Sequence, residues 1–380
     1  MSGGPLRVVV VDDSSFVRRA ISRMLEADDR IEIVAQASTG EELVTHLDEW
    51  RPDAITLDLS MPGMGGLQTL DHIMSRRPTP VIILSTHSAK DAPLTIEALH
   101  RGATDFIDKQ QYSLVDFEAL RGVIVQKLLQ LRGVSPRPRR ETGPAPARER
   151  SGTTSSRGKT AVRSPAAARS RGTKAEPPAT VDPAARFEVV VVGASTGGPP
   201  TIQRVLEDLG SLVRVPVVIV QHMPAGFTRA FAERLNTHLP LHVREAEDGE
   251  TLLPGTVYIA PAGRHLRLAR SGEMLVARLD AEPSQVSHRP SVDILFDSAA
   301  EVAGKRTLAV LLTGMGSDGA AGMLQVRKAG GWTLGQDAAS CVVHGMPRAA
   351  ANLHAVLEES SLERLGPRLR HLLGESGAPS

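Results

Sequence analysis

Cysteine is nearly absent: Cys341 is the only thiol in 380 residues, so no intramolecular disulfide can form and a reducing compartment is expected. Long apolar runs are missing too. The run 6–11 is broken at once by Asp12 and Asp13, which neither a secretory signal nor a membrane span tolerates, and no other stretch is long enough to cross a bilayer. These absences predict a soluble, cytoplasmic protein with no membrane insertion. Aromatic residues make up only 3% of the chain, and none lies between residues 136 and 180, where arginines are densest.

That basic stretch decides the domain organisation. The formal charge is +1, yet residues 132–174 hold twelve Lys or Arg against Glu141 and Glu149, which leaves the rest net acidic. The segment repeats Pro, Ser, Thr and Ala and has too few large apolar residues to offset the cost of ordering it. It therefore reads as a disordered, self-repelling linker over residues 132–184. A nucleic-acid or anionic-membrane contact is the rival reading, but no aromatics interleave with the arginines to stack bases, so no nucleic-acid partner is expected. The flanking segments 1–131 and 185–375 are each long enough to bury a core.

In the first segment, short β-branched runs near 6–11, 31–35, 54–57, 81–84 and 104–107 alternate with amphipathic stretches, which predicts an α/β fold with a parallel, doubly wound sheet. Ligands of such sheets sit at the carboxyl ends of the strands. Asp12 and Asp13 follow the first strand, Asp58 the third, Ser85 the fourth and Lys109 the fifth. Converging carboxylates suit a hard divalent ion such as Mg²⁺, which accepts carboxylate, water and phosphate oxygens together. One carboxylate could then attack a phosphoryl group while Lys109 neutralises developing charge and Ser85 binds a product oxygen. One aspartate alone would more simply cap a helix or turn.

The strings Val-Val-Val-Val-Asp12-Asp13-Ser, Leu57-Asp58-Leu-Ser-Met61-Pro62 and Gly102-Ala103-Thr-Asp-Phe106-Ile-Asp-Lys109 resemble response-regulator receiver motifs. That resemblance implies a flavodoxin-like receiver domain. Asp58 would be the phosphoacceptor, with Asp12, Asp13 and Asp58 at Mg²⁺, Ser85 and Phe106 as switch residues, Lys109 facing the phosphate, and a sensor histidine kinase as phosphodonor. Gln110 replaces the proline that usually follows the lysine, and Gly65 replaces an acidic residue of the Met-Pro-x-Met-x-Gly loop.

From Phe187 the pattern restarts. An apolar strand, 189–192, leads into Gly193-Ala194-Ser195-Thr196-Gly197-Gly198-Pro199 and a helical stretch to about Leu209. Such a turn can cradle a phosphate, present a nucleophilic serine, or simply pack tightly. The next strand, 215–220, ends in Gln221 and His222 rather than the acidic residue of a dinucleotide site, which argues against a nicotinamide cofactor. A further strand, 308–313, leads to Asp318, which could otherwise cap the helix beginning near Ala320. Serine, histidine and aspartate after three separate strands suit a nucleophile, a base and an orienting acid, with glycine-rich backbone to bind an oxyanion.

The stretches Val-Val-Gly193-Ala-Ser195-Thr196-Gly-Gly-Pro, Val-Gln221-His222-Met-Pro224, His288-Arg-Pro290-Ser-Val-Asp293, Thr313-Gly-Met315-Gly-Ser-Asp318-Gly-Ala and Ser340-Cys-Val-Val-His344-Gly-Met346-Pro347 resemble chemotaxis-specific protein-glutamate methylesterases. This implies a doubly wound, mostly parallel α/β hydrolytic domain with Ser195, His222 and Asp318 as triad. Backbone amides near Thr196 and Met315 would serve the oxyanion, and His265, His288 and Arg289 would line the groove. His344 stands where the family usually has phenylalanine. The implied activity is hydrolysis of glutamate γ-methyl esters on methyl-accepting chemoreceptors, with glutamine deamidation, in chemotaxis-type adaptation. Ester hydrolysis would need no cofactor. The rivals are a response regulator with a DNA-binding output, which the strand-rich second half disfavours, and an interaction module built on a disabled hydrolase.

Overall fold

The computed structural model describes residues 4–85, 91–109, 117–134, 186–210, 213–286 and 288–374. Gln110 and most of the expected linker lie outside them.

The first sheet comprises β1 (Leu6–Val11), β2 (Ile31–Ala37), β3 (Ala54–Asp58), β4 (Val81–Ser85) and β5 (Asp105–Asp108), all parallel in the order β2-β1-β3-β4-β5. Helices α1 (Ser15–Glu26), α2 (Gly40–Trp50), α3 (Gly65–Arg76), α4 (Asp91–His100) and α5 (Phe117–Gln130) connect and follow the strands. Helices on both faces explain why β1 reads Val-Val-Val-Val rather than alternating: Val8, Val9, Val10 and Val11 are all fully buried. The last strand starts one residue later than expected, at Asp105, although the Thr104 N–H already bonds Val81 O at 2.8 Å.

The second sheet has seven strands, again all parallel: β6 (Val189–Ala194), β7 (Val217–Gln221), β8 (His242–Glu245), β9 (Thr256–Ile259), β12 (Thr307–Leu311), β13 (Trp332–Gln336) and β14 (Glu358–Ser360), in the order β14-β13-β12-β6-β7-β9-β8. An antiparallel hairpin, β10 (His265–Ser271) with β11 (Met274–Asp280), is a feature the sequence reading did not contain. The helices are α6 (Gly198–Leu209), α7 (Phe227–His238), α8 (Val292–Ala303), α9 (Ala320–Lys328), α10 (Met346–Asn352) and α11 (Leu362–Leu372). Strand β7 begins at Val217, two residues later than expected, because Pro216 has no N–H for a central ladder. Strand β12 ends at Leu311, so Thr313 already belongs to the loop that carries Asp318.

Topology positions the chemistry. The chain lays β6 down first, builds outward through β7 and β9 on one side, then returns to add β12 on the other. The carboxyl end of β6 is therefore the switch point, where loops diverge and leave a crevice. Among the described residues, no helix is long and apolar enough to cross a membrane.

Candidate active site and phosphoacceptor site

Ser195, His222 and Asp318 follow three neighbouring strands, β6, β7 and β12. The His222 N–H bonds Ala194 O at 3.1 Å, and Gln221 Nε2 donates to both Ser195 O (2.9 Å) and His222 O (3.0 Å), tying the Ser195 turn to the histidine. His222 Nε2–H donates to Asp318 Oδ2 at 2.8 Å. Its Nδ1 is buried and has no hydrogen-bond partner among the described residues. The imidazole thus has one nitrogen committed to the acid and the other left as an acceptor.

Asp318 does not cap the helix that follows it: the N-cap of α9 is Gly319, with no side-chain cap bond. It caps α8 instead. Ser291 Oγ and the Asp293 N–H donate to Oδ1 at 2.8 and 3.0 Å, and the Val292 N–H donates to Oδ2 at 2.7 Å. Burial works against the charge, but the bonds from His222 and from this helix N-terminus outweigh it and hold Asp318 well below the usual carboxylate range. The acid is ionised wherever His222 is asked to become a cation.

The glycine-rich turn brings Ser195 close to the loop after β12. Gly197 adopts φ +73°, and a Cβ there would lie 2.5 Å from Val342. A Cβ on Gly314 would lie 2.9 Å from Ser195 Cβ. Several nearby N–H groups are already engaged: Ser195 with Thr313 O (3.0 Å), Gly198 with Ser195 O (2.8 Å) and Gly314 with Val343 O (3.0 Å). Thr196 and Met315 flank these engaged donors.

The three histidine-groove residues part company. His288 stacks on His222, with ring centroids 4.1 Å apart and planes at 19°. Loss of water from the shared face, with His222 beside it, pushes His288 down to about 4 while its outer edge stays exposed, so it is neutral near pH 7. His265, by contrast, is 0% exposed and is no groove residue: it accepts the Ser291 N–H at Nδ1 (3.3 Å) and donates from Nε2 to Pro283 O (3.3 Å). A buried imidazole satisfied on both nitrogens is a strut. Arg289 reaches outward to Ala281 O and Ser284 O.

In the first sheet, single carboxylate oxygens of Asp12, Asp13 and Asp58 lie within 4.8 Å of one another. Lys109 Nζ donates to Asp58 Oδ2 (2.7 Å) and Asp12 Oδ2 (3.1 Å). Burial raises Asp12, against the pull of Lys109 and with Asp58 adding repulsion; Lys109 rises because the two carboxylates outweigh its own burial. An all-oxygen donor set with crowded negative charge fits a hard divalent cation such as Mg²⁺. Ser85 Oγ is engaged with Thr95 Oγ1 of α4 at 2.8 Å.

Comparison with known proteins follows the same division. The CheB methylesterase family model matches residues 190–369, and the response regulator receiver domain model matches residues 8–117. The protein-glutamate methylesterase/protein-glutamine glutaminase of Chromohalobacter salexigens is 38% identical over 99% of this chain and 99% of its own length. The chain belongs to this family. Protein-glutamate methylesterase/protein-glutamine glutaminase 1 of Oleidesulfovibrio alaskensis is 42% identical over 90% of this chain and 93% of its own. The solved catalytic domain of Thermotoga maritima CheB methylesterase, 39% identical, covers 49% of this chain and 98% of that one, with a TM-score of 0.48.

The methylesterase-family chain packs its receiver against the hydrolase beside these loops. Phe106 of β5 meets Phe227, the first residue of α7, with ring centroids 4.6 Å apart. Glu97 of α4 pairs with Arg234 of α7 and, at 2.7 Å, with Arg101. His100 bonds Gln203 of α6 at 2.9 Å. Val342, which abuts the glycine-rich turn at Gly197, also packs on the receiver cluster that includes Ile124, Val125 and Leu128.

Sequence reasoning missed the groups that hold the site. Gln221 was noted only as a non-acidic strand end, and Gln336, whose Oε1 accepts the Thr313 N–H at 2.8 Å, was not noted at all. Buried glutamines at strand termini were the available signal.

Proposed function

We propose that this chain is a phosphorylation-controlled serine hydrolase that removes γ-methyl esters from glutamates of chemoreceptors and deamidates receptor glutamines. The observation that carries this is His222, held by Asp318 at Nε2 with Nδ1 buried and without a hydrogen-bond partner among the described residues. Nδ1 takes the proton of Ser195 as Oγ bonds to the ester carbonyl carbon, and backbone N–H groups near Thr196 and Met315 receive the oxyanion. Collapse breaks the carbon–methoxy bond, and the Nδ1 proton leaves with methoxide as methanol. Water then adds to the acyl-serine with one proton passing to Nδ1, breakdown returns that proton to Ser195 Oγ, and the freed glutamic acid releases its remaining proton to solvent to become the carboxylate. With a glutamine the same acyl-enzyme forms and ammonia leaves. The amide is the harder substrate.

Control follows from the receiver contact. Asp58 is the phosphoacceptor from a histidine kinase. Asp12, Asp13 and Asp58 would hold Mg²⁺, which supplies charge neutralisation for phosphoryl transfer. The phosphoryl group competes with the present Lys109 and Ser85 partners, and α4 and Phe106 carry that change to α6 and α7. A receiver seated beside the catalytic loops restricts a bulky helical substrate, and phosphorylation weakens the seat. The test is methanol release from a methylated receptor. Wild-type protein should release methanol and Ser195→Ala should not; near-normal release by Ser195→Ala with an intact fold would overturn the reading.

A further inference from the structure

Helices α8 and α9 meet at their N-termini, and each end is held by a carboxylate from the other's approach. Asp318, two residues before α9, takes the N–H groups of Val292 and Asp293 and the hydroxyl of Ser291. Asp293, the second residue of α8, returns the contact: its Oδ1 accepts the N–H of Gly322, the third residue of α9, at 2.7 Å. The helices touch there. A Cβ on Gly322 would lie 2.7 Å from Asp293 O and 2.8 Å from Phe296 Cβ. Strut His265 steadies the same corner through the Ser291 N–H.

We propose that Asp293 is a positioning residue of the hydrolase: it clamps the start of α9 to α8, so that Asp318 is presented to His222 Nε2, and adds a second negative charge behind the acid. This rests on the triad reading of Ser195, His222 and Asp318. Among the described residues Asp293 makes no hydrogen bond to His222, whose Nε2 is bonded to Asp318; it acts by placing Asp318 and by the field of its own charge.

The electrostatics of the corner agree with the geometry. The charged groups facing Asp293 are Asp318 and, one turn along α8, Asp297; beyond Asp297 lie Glu301 and Arg267 of β10. Burial, partly offset by the Gly322 bond and reinforced by Asp318, pushes Asp293 up to about 6. Asp293 is therefore ionised at neutral pH and gains a proton in mild acid. While ionised it favours the imidazolium that forms on His222 during attack. Asparagine at 293 keeps an acceptor for Gly322 but removes that charge at every pH.

The test uses the full chain, activated with a phosphodonor, and reads kcat, KM and the pH profile of methanol release beside thermal unfolding. Asp293→Ala should lose about 10–100-fold in kcat, the scale of a small misplacement of catalytic groups, with KM within about twofold. Asp293→Asn should recover kcat to within about threefold on the alkaline plateau while the acidic limb of kcat/KM moves to lower pH. A merely structural role would leave that limb in place. Should Asp293→Ala fail to fold, the isosteric Asp293→Asn profile decides alone. Profiles of Asp293→Asn and wild type that superimpose, or a folded Asp293→Ala with wild-type kcat, overturn the proposal. Ser195→Ala assayed alongside separates the failures: if it is inactive the triad reading stands while only the role of Asp293 falls, and if it is active both fall.

Discussion

Asp318→Asn preserves shape and removes charge at a point where both oxygens are in use. Oδ1 accepts from Ser291 Oγ and the Asp293 N–H, and Oδ2 accepts from the Val292 N–H and His222 Nε2. An amide offers a carbonyl to only one of these pairs. With the NH₂ on the Oδ2 side, Val292 loses its acceptor and His222 must move its proton to Nδ1, where the reaction needs an acceptor. With the NH₂ on the other side, the Ser291 hydroxyl can rotate but the Asp293 N–H cannot. Either way one backbone donor is stranded, at about 1–3 kcal/mol, and the charge at the α8 N-terminus is lost, at about 0.3–2 kcal/mol. At about 2–4 °C per kcal/mol for a domain of this size, the hydrolase should melt roughly 3–20 °C lower. Turnover should fall about 10³–10⁴-fold, the scale of a base held in the wrong tautomer. The stability difference has a pH signature. Asp318 is held below its unfolded value, so wild type keeps its full advantage above about pH 4 and loses it as pH falls further. Methanol release and thermal unfolding, each across pH, check this. An Asp318→Asn protein with wild-type melting and kcat within about tenfold of wild type would refute the reasoning.

Arg234→Ala removes the partner of Glu97 across the receiver contact. A charge-assisted, partly buried pair is worth about 1.5–3 kcal/mol, so the unphosphorylated basal rate should rise by about 10–100-fold or up to the phosphorylated ceiling. An unchanged basal rate in a folded variant would remove this contact from the control mechanism. Asp58→Ala should abolish the increase produced by Mg²⁺ and a small phosphodonor, and a chelator should do the same to wild type while sparing its basal rate. Loss of basal hydrolysis on chelation would place a metal in the hydrolase and contradict the serine mechanism.

Strand ends were legible because buried parallel strands are continuous apolar runs and the polar residue that ends each run stands out. Asp12, Asp58, Ser195 and His222 were all visible in this way. His265 was not: a histidine at the head of a strand reads the same whether it faces a groove or is buried, and only its bonds to Ser291 and Pro283 distinguish the two. Asp318 was read as the acid that orients His222, with a cap on the helix next to it in sequence as the rival; that its other partners are Ser291 and the first two residues of α8, 25 to 27 positions earlier, was not legible.

By itself the sequence determined two α/β units, the basic segment between them, and the residue types at each strand end. These are local properties, set by hydrophobic runs, composition and turn chemistry within a few residues. Tertiary structure alone decided that β12 pairs with β6, that His222 meets an acid 96 positions away, that α8 and α9 exchange carboxylates, and that Phe106 meets Phe227. Each of these depends on which distant surfaces bury one another. That choice is made by packing the whole chain, and no local pattern encodes it.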